Sequence, residues 1–381
     1  MTTRTIAVVG ANGFIGSRLV EMLHLEGATP VRPVVRRASA LASAARFALE
    51  GRVADALDTS ALRNALAGCD AVVHCVAGDA KTIVKSAEAV YTAAEAAGCR
   101  RLVYLSSACV HGQSPVPGTD ERSVLSDRQP IEYNNAKVRA ERALRTLRAR
   151  GRLELVVLRP AIVFGPRSQW IAGFADDVLA GRAHFAGDDS GICNSLYVDN
   201  LVHAIRLAIE SPRADREAYL LGDEEAPTWR ELYRPFAEAL GTHVENLPVL
   251  PYRPARWSLA ESMDRMRSSR AVQGTLMRLP ERLRRGVGAF YAELSGIGER
   301  DGVARGDAVY APPAPTLEMT LLHGCRYRLP WRKAHAELGY SPAVAFEDAC
   351  QRTIGWLNFA GYPVTTGARA ATGDERYRAP R

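Results

Sequence analysis

Lysine is scarce in this 381-residue chain. Only four of its 49 basic residues are lysine, at positions 81, 85, 137 and 333, so arginine carries nearly all of the positive charge. Each lysine is therefore a candidate for more than solvation. Long apolar runs are missing too. A stretch such as 153–158 breaks far short of the roughly 20 residues that a bilayer span requires, so no membrane-spanning helix is expected. The apolar run at 6–9 is too short for a signal-peptide core, which makes the cytoplasm the expected compartment. Seven cysteines are scattered at 69, 75, 99, 109, 193, 325 and 350 with no C-x-x-C pair, which argues against a disulfide framework and a zinc site; no metal is expected. Hydrophobic residues make up 47% and charged residues 24%, the balance of a folded globular protein. The length allows two or three domains, or one large α/β unit with an appendage.

Short β-rich runs alternate with helical patterns over the first 110 residues. Strands are expected at 5–9, 31–35, 71–76 and 101–106, with helices after the first glycines and at 83–97. That alternation implies a parallel sheet with helices on both faces. Further on, 132–150 reads as a helix, 154–158 as a strand, and 200–210, 228–240 and 346–359 as helices. The segment 253–300 holds ten arginines against five acidic residues, most of the net charge of +7. Arginines alternating there with Leu and Met suggest a membrane-surface helix or a lid over an apolar or anionic substrate, a reading preferred to a solvated helical pair covering the edge of the site. The arginines lack interleaved aromatics, so no nucleic-acid partner is expected.

Gly10-Ala11-Asn12-Gly13-Phe14-Ile15-Gly16 directly follows the first strand and opens the first helix. A dinucleotide pyrophosphate has to approach backbone N–H groups at a helix N-terminus, and side chains would block it. Placement at a strand–helix junction lifts this glycine triplet above an ordinary glycine-rich turn. The end of the second strand then bears on the choice of cofactor. An NAD site places a carboxylate there for the ribose 2′-hydroxyl, whereas an arginine accommodates a 2′-phosphate. The residues present are Arg36 and Arg37, which favours NADP(H) over NAD(H) unless both are only solvated charges. Asp55, with Ala56 after the next short strand, is placed to meet the adenine amino group or simply to cap a helix.

Tyr133 and Lys137 stand four apart at the start of a helix and share one face. A free phenol with a pKa of about 10 is a poor base at neutral pH. A nearby ammonium stabilises the phenolate, so Tyr133 is expected to have a lowered pKa and to exchange a proton with a substrate oxygen. Ser106 and Ser107 end the strand at 101–106, where ligands of open parallel sheets bind. His74-Cys75-Val76-Ala77-Gly78 ends another strand, where Cys75, Val76 and Ala77 would wall the nicotinamide side. His74 and His111 adjoin apolar strands and read as structural histidines.

Taken in order, these motifs resemble the extended short-chain dehydrogenase/reductase family, also called the NAD-dependent epimerase/dehydratase superfamily. The resemblance continues through Arg159-Pro160 to Gly165-Pro166, Tyr197-Val198-Asp199-Asn200, 218–222, 336–340 and Trp356, and is weakest over 253–315. It implies a Rossmann-type doubly wound sheet with a smaller, mostly helical C-terminal substrate-binding part. It implies Tyr133 as acid/base, Lys137 lowering its pKa and holding the nicotinamide ribose, and Ser107 orienting the substrate. Ser106, Pro160, Ile162 and Val163 would join the glycine loop as cofactor contacts. The implied division is 1–165, with 194–222 returning to it, for the dinucleotide; 166–193 and 223–364 for substrate or lid; and a frayed tail over 365–381. Relatives often pair helices into a dimer, and the helix of Tyr133 is the candidate.

Departures narrow the subclass. Sugar dehydratases carry Thr-Asp-Glu where this chain has Ser107-Ala108-Cys109, so the acid and base for water loss are missing. Ala161 replaces an asparagine common in nucleotide-sugar epimerases, and Asn194-Ser195-Leu196 stands where they often hold a diphosphate with arginine. The pattern is closer to members that interconvert a secondary alcohol and a ketone, such as the 3β-hydroxysteroid dehydrogenase and dihydroflavonol reductase branches. A nucleotide-sugar epimerase with tightly held cofactor and a non-catalytic NADPH-sensing regulator stay open as alternatives.

Overall fold

A computed structural model describes residues 4–252 and 315–365. The arginine-rich segment 253–300 and the tail beyond 365, with the lid, membrane-surface and fraying expectations attached to them, lie outside the described residues.

The sheet is built on β1 (Thr5–Val9), β2 (Val31–Val35), β3 (Arg52–Val53), β4 (Cys69–His74), β5 (Arg101–Leu105), β6 (Glu154–Pro160) and β10 (Ala218–Leu221). Their order is β10-β6-β5-β4-β1-β2-β3, and every neighbouring pair is parallel. Parallel strands covered on both faces need apolar residues at nearly every position, which is how β1, β4 and β5 read. Successive residues then feed opposite layers. Ile6 and Val8 pack with α1 (Phe14–Glu26) and α6 (Val198–Glu210). Ala7 and Val9 pack with α2 (Thr59–Leu66), α3 (Ala80–Ala96) and α4 (Glu132–Arg150). The strand order reverses between β1 and β4, which opens a crevice at their carboxyl ends.

The second part is smaller and mostly helical. Two short parallel pairs, β7 (Ile162–Phe164) with β9 (Ser195–Tyr197) and β8 (Phe185–Ala186) with β11 (Val249–Leu250), lead the chain away from the main sheet. Around them lie α5 (Gln169–Leu179), α7 (Trp229–Ala239), α8 (Leu317–His323), α9 (Arg332–Leu338) and α10 (Phe346–Phe359). Their core is aromatic: Phe174 stacks on Tyr233 at 4.1 Å between ring centroids, and Trp229 lies against Tyr233 and His323. Asn200 ties the two parts together. Its side-chain oxygen accepts from the backbone of Ala343 and Val344, and its amide donates to Asp223. No helix among the described residues is long and apolar enough to cross a membrane.

Candidate active site

The crevice is a cleft of about 1240 Å³ running from the tip of β2 across β1 and β4 to α4 and α8. Every residue singled out above as a cofactor or catalytic residue lies on its wall except Gly16. Gly16 sits beneath the loop, where a Cβ would collide with the Gly10 carbonyl. Gly10 has φ +87°, and a Cβ there would stand 2.8 Å from the Cys75 carbonyl oxygen. Gly13 caps α1 without any side-chain hydrogen bond, and no acidic residue occupies the first turn. The helix therefore presents bare N–H groups to the cleft, a cradle suited to phosphate.

At one end of the cleft Arg36 and Arg37 are exposed, and neither makes an ion pair with a described residue. Asp55 faces the same end, with one carboxylate oxygen accepting from the Leu57 backbone at 2.9 Å. Next along the wall, the Cys75 backbone N–H extends the sheet to Val9 at 2.8 Å, and burial pushes its thiol up to about 12.

The middle of the cleft belongs to α4. Lys137 is buried beneath Tyr133, one helical turn on, and its Nζ donates to the Leu105 carbonyl at 2.8 Å. Burial pushes the ammonium down to about 8, against the pull of Cys109, Glu141 and Cys75. An ammonium has three donors, and the two others meet no described acceptor, which suits a ribose diol. Ser107 stands just past β5, where its Oγ accepts from the Cys109 backbone at 3.3 Å. Tyr133 keeps 39% of its surface open to the cleft.

The expected depression of the Tyr133 pKa is not found. Burial raises the phenol above its ordinary value, Cys109 and Glu318 add to the rise, and only the Ser107 hydroxyl opposes it. Lys137 does not offset the rise; its ammonium donates to the Leu105 carbonyl and lies 5.8 Å from the centre of the tyrosine ring. Ser106 lines the cleft, with its side chain turned beneath it. Its Oγ donates to Glu141 Oε1 at 2.6 Å, so that hydroxyl is committed beneath the cleft.

His74 and His111 are structural, as their strand-side positions suggested. The His74 Nε2 lies 3.0 Å from Ser86 Oγ, and burial pushes the ring down to about 3. The His111 Nε2 lies 3.2 Å from Arg159 Nη1, and the ring is pushed down to about 4, first by burial and then by that guanidinium. Sequence reading missed the group beneath. Glu141 and Arg159 form a buried pair, 1% and 2% exposed, with bonds of 3.0 Å from Nε and 2.6 Å from Nη2. Glu141 lies one turn after Lys137, so the i, i+4 spacing that linked Tyr133 to Lys137 would have found it. Gln113, Asn134 and Glu318 were also missed, for want of any motif.

Protonation of these rings makes stability depend on pH. His74, His111 and His323, held at about 3, 4 and 4, stay neutral in the fold while the unfolded chain protonates near pH 6.5. From pH 6.5 down to about 4 the unfolded chain therefore binds more protons, and stability falls with pH. Asp223 works in the opposite sense. Burial raises it to about 7, so its contribution is present at low pH and is lost as pH rises to 7. The three rings outweigh the single carboxyl, and the urea midpoint is expected to drop between pH 6.5 and 4.5. A midpoint that holds or rises over that interval would mean the rings are hydrated.

The chain belongs to the NAD-dependent epimerase/dehydratase family, whose model matches residues 6–222. Its relatives include both epimerases and reductases. It is 27% identical over 264 residues to a UDP-glucose 4-epimerase of Vibrio cholerae, covering 65% of this chain and 79% of that protein. It is 33% identical over 254 residues to a 3-diazoavenalumate denitrifying reductase of a Streptomyces species, covering 62% of this chain and 81% of the relative. Among solved structures, a dTDP-glucose 4,6-dehydratase from Streptomyces venezuelae with NAD bound superposes with a TM-score of 0.67. It covers 93% of this chain and 97% of its own, at 22% identity, and so shares the fold.

Proposed function

We propose that this protein is an NADP(H)-dependent oxidoreductase acting on the secondary alcohol or ketone of a small-molecule substrate. One observation carries the reading: Ser107, Tyr133 and Lys137 face the same cleft as the glycine loop of α1. The nicotinamide would supply or take up the hydride. Lys137 would hold the ribose hydroxyls with its two remaining donors, and Ser107 Oγ would donate to the substrate oxygen. The phenol is protonated at neutral pH, so Tyr133 would donate to a carbonyl oxygen that gains charge in reduction and take the proton back in oxidation.

Nucleotide-sugar chemistry is the second reading, supported by the epimerase relative. Asn194 weighs against it. Its amide donates to the Tyr327 carbonyl at 3.0 Å and its oxygen accepts from the Leu329 N–H at 2.8 Å, so it is spent on backbone where many epimerases hold a diphosphate. Deuterated NADPH, labelled on either face, separates the two readings. Net NADPH consumption with deuterium in the product alcohol supports the reductase. Interconversion of a nucleotide sugar without net consumption of added cofactor puts the epimerase in its place.

The choice of NADP(H) rests on Arg36 and Arg37. Calorimetric titration is expected to give a preference for NADPH over NADH of tenfold or more, about 1.4 kcal/mol, that vanishes in the Arg36→Ala, Arg37→Ala double variant. Equal affinities in the wild type would reduce both arginines to surface charges.

A further inference from the structure

We propose that Glu318 sets the charge selectivity of the substrate end of the cleft, admitting neutral or cationic hydroxy and carbonyl compounds and turning away anionic ones. This rests on the reductase reading above and adds the class of substrate.

Glu318 is the second residue of α8, whose N-cap Thr316 accepts from the Met319 backbone. That helix brings the carboxylate onto the cleft wall with Ser107, Cys109 and Tyr133, far along the chain from all three. The side chain is held in place. Gln113 Nε2 donates to Glu318 Oε1 at 2.8 Å, and Gln113 Oε1 accepts from Asn134 Nδ2 at 2.6 Å. Asn134 adjoins Tyr133 on α4, and both amides are buried, at 1% and 7% exposure for Asn134 and Gln113. Glu318 is thereby tied to the turn that carries the tyrosine. No described residue donates to its second oxygen, which leaves an acceptor free for a substrate hydroxyl or ammonium.

Among the described lining residues, Lys137, beneath Tyr133, is the one opposing charge on this side of the cleft, and its ammonium is turned to the Leu105 carbonyl. Arg36, Arg37 and Asp55 stand at the far end by β2 and β3. Gln113, Trp170, Asn194, Leu322 and Leu329 complete the substrate end and are all neutral. The resident groups already feel the carboxylate, since Glu318 is among the causes that raise Tyr133 and Cys109. A phosphate or carboxylate brought beside Tyr133 would meet the same repulsion in a cleft that screens it less than bulk water does.

The variant is Glu318→Gln, which can keep the bond from Gln113 while removing the charge. Two matched pairs of probes are used. The first is NADPH-dependent reduction of ethyl acetoacetate and of acetoacetate, a neutral and an anionic ketone. The second needs no turnover: alkylation of Cys109 by iodoacetamide and by iodoacetate, followed by peptide mass spectrometry. The wild type is expected to favour the neutral member of each pair, and Glu318→Gln to narrow that preference by about tenfold, with NADPH affinity within twofold of wild type. An alkylation preference that moves by less than twofold overturns the assignment; where the burial-raised Cys109 thiol gives no product, the ketone pair decides instead, and a preference that moves by less than twofold there overturns it. A shifted alkylation preference with neither ketone reduced keeps the assignment of Glu318 and counts against the reductase reading alone.

Discussion

Tyr133→Phe is expected to lower kcat for carbonyl reduction by roughly a thousandfold, within the usual range for loss of a general acid. The Kd for NADPH should stay within twofold. The substitution removes one oxygen from a ring that remains wedged between the cleft and Lys137, so the glycine loop, Arg36 and Arg37 are untouched. Water is a poor replacement, because the donor must stand beside the Ser107 hydroxyl at the moment charge develops on the substrate oxygen. Stopped-flow single-turnover rates with fluorescence titration of the cofactor separate the two quantities. Turnover kept within tenfold would remove Tyr133 from the proton transfer.

Glu141→Ala is expected to destabilise the fold by about 3–5 kcal/mol, because it strands the Arg159 guanidinium in a site 2% exposed. The remaining Arg159 contacts, to His111 Nε2 and the Glu121 carbonyl, carry no negative charge. Ser106 Oγ loses its acceptor as well. Urea denaturation reads the loss. The double variant Glu141→Leu, Arg159→Leu should recover much of it, since two apolar side chains leave no buried charge behind. A double variant as unstable as the single would mean that packing around α4 and β6, and not the stranded charge, sets the cost.

Much of the nucleotide-binding half is legible in sequence, because its signals are local. β1, β2, α4 and α10 fall at Thr5–Val9, Val31–Val35, Glu132–Arg150 and Phe346–Phe359, as read from apolar runs and helical spacing. The strand expected at 71–76 ends two residues earlier, since after one last backbone bond from Cys75 to Val9 the chain turns to wall the cleft. α3 starts at Ala80, three residues before expectation, because Asp79 caps it by accepting from the Thr82 N–H at 2.7 Å. Strands of two or three residues, such as β7, β8 and β9, are too short to show a period, and they went unanticipated.

The family, the doubly wound sheet and the cluster of Ser107, Tyr133 and Lys137 beside the glycine loop follow from the sequence alone. Each motif taken singly depends on residues a few positions apart, at junctions where the backbone leaves little choice, and the resemblance to the family implies their placement together. Only the tertiary structure decided the electrostatics. The raised phenol of Tyr133, the lowered ammonium of Lys137 and the Glu141–Arg159 pair depend on how deeply each group is covered. That covering comes from segments tens to hundreds of residues away. Glu318 is the extreme case: 205 residues separate it from Gln113, and only the docking of α8 brings its charge to the tyrosine. Periodicity reports which face of an element is buried, but the energy of a charge is set by whatever the chain later places against it.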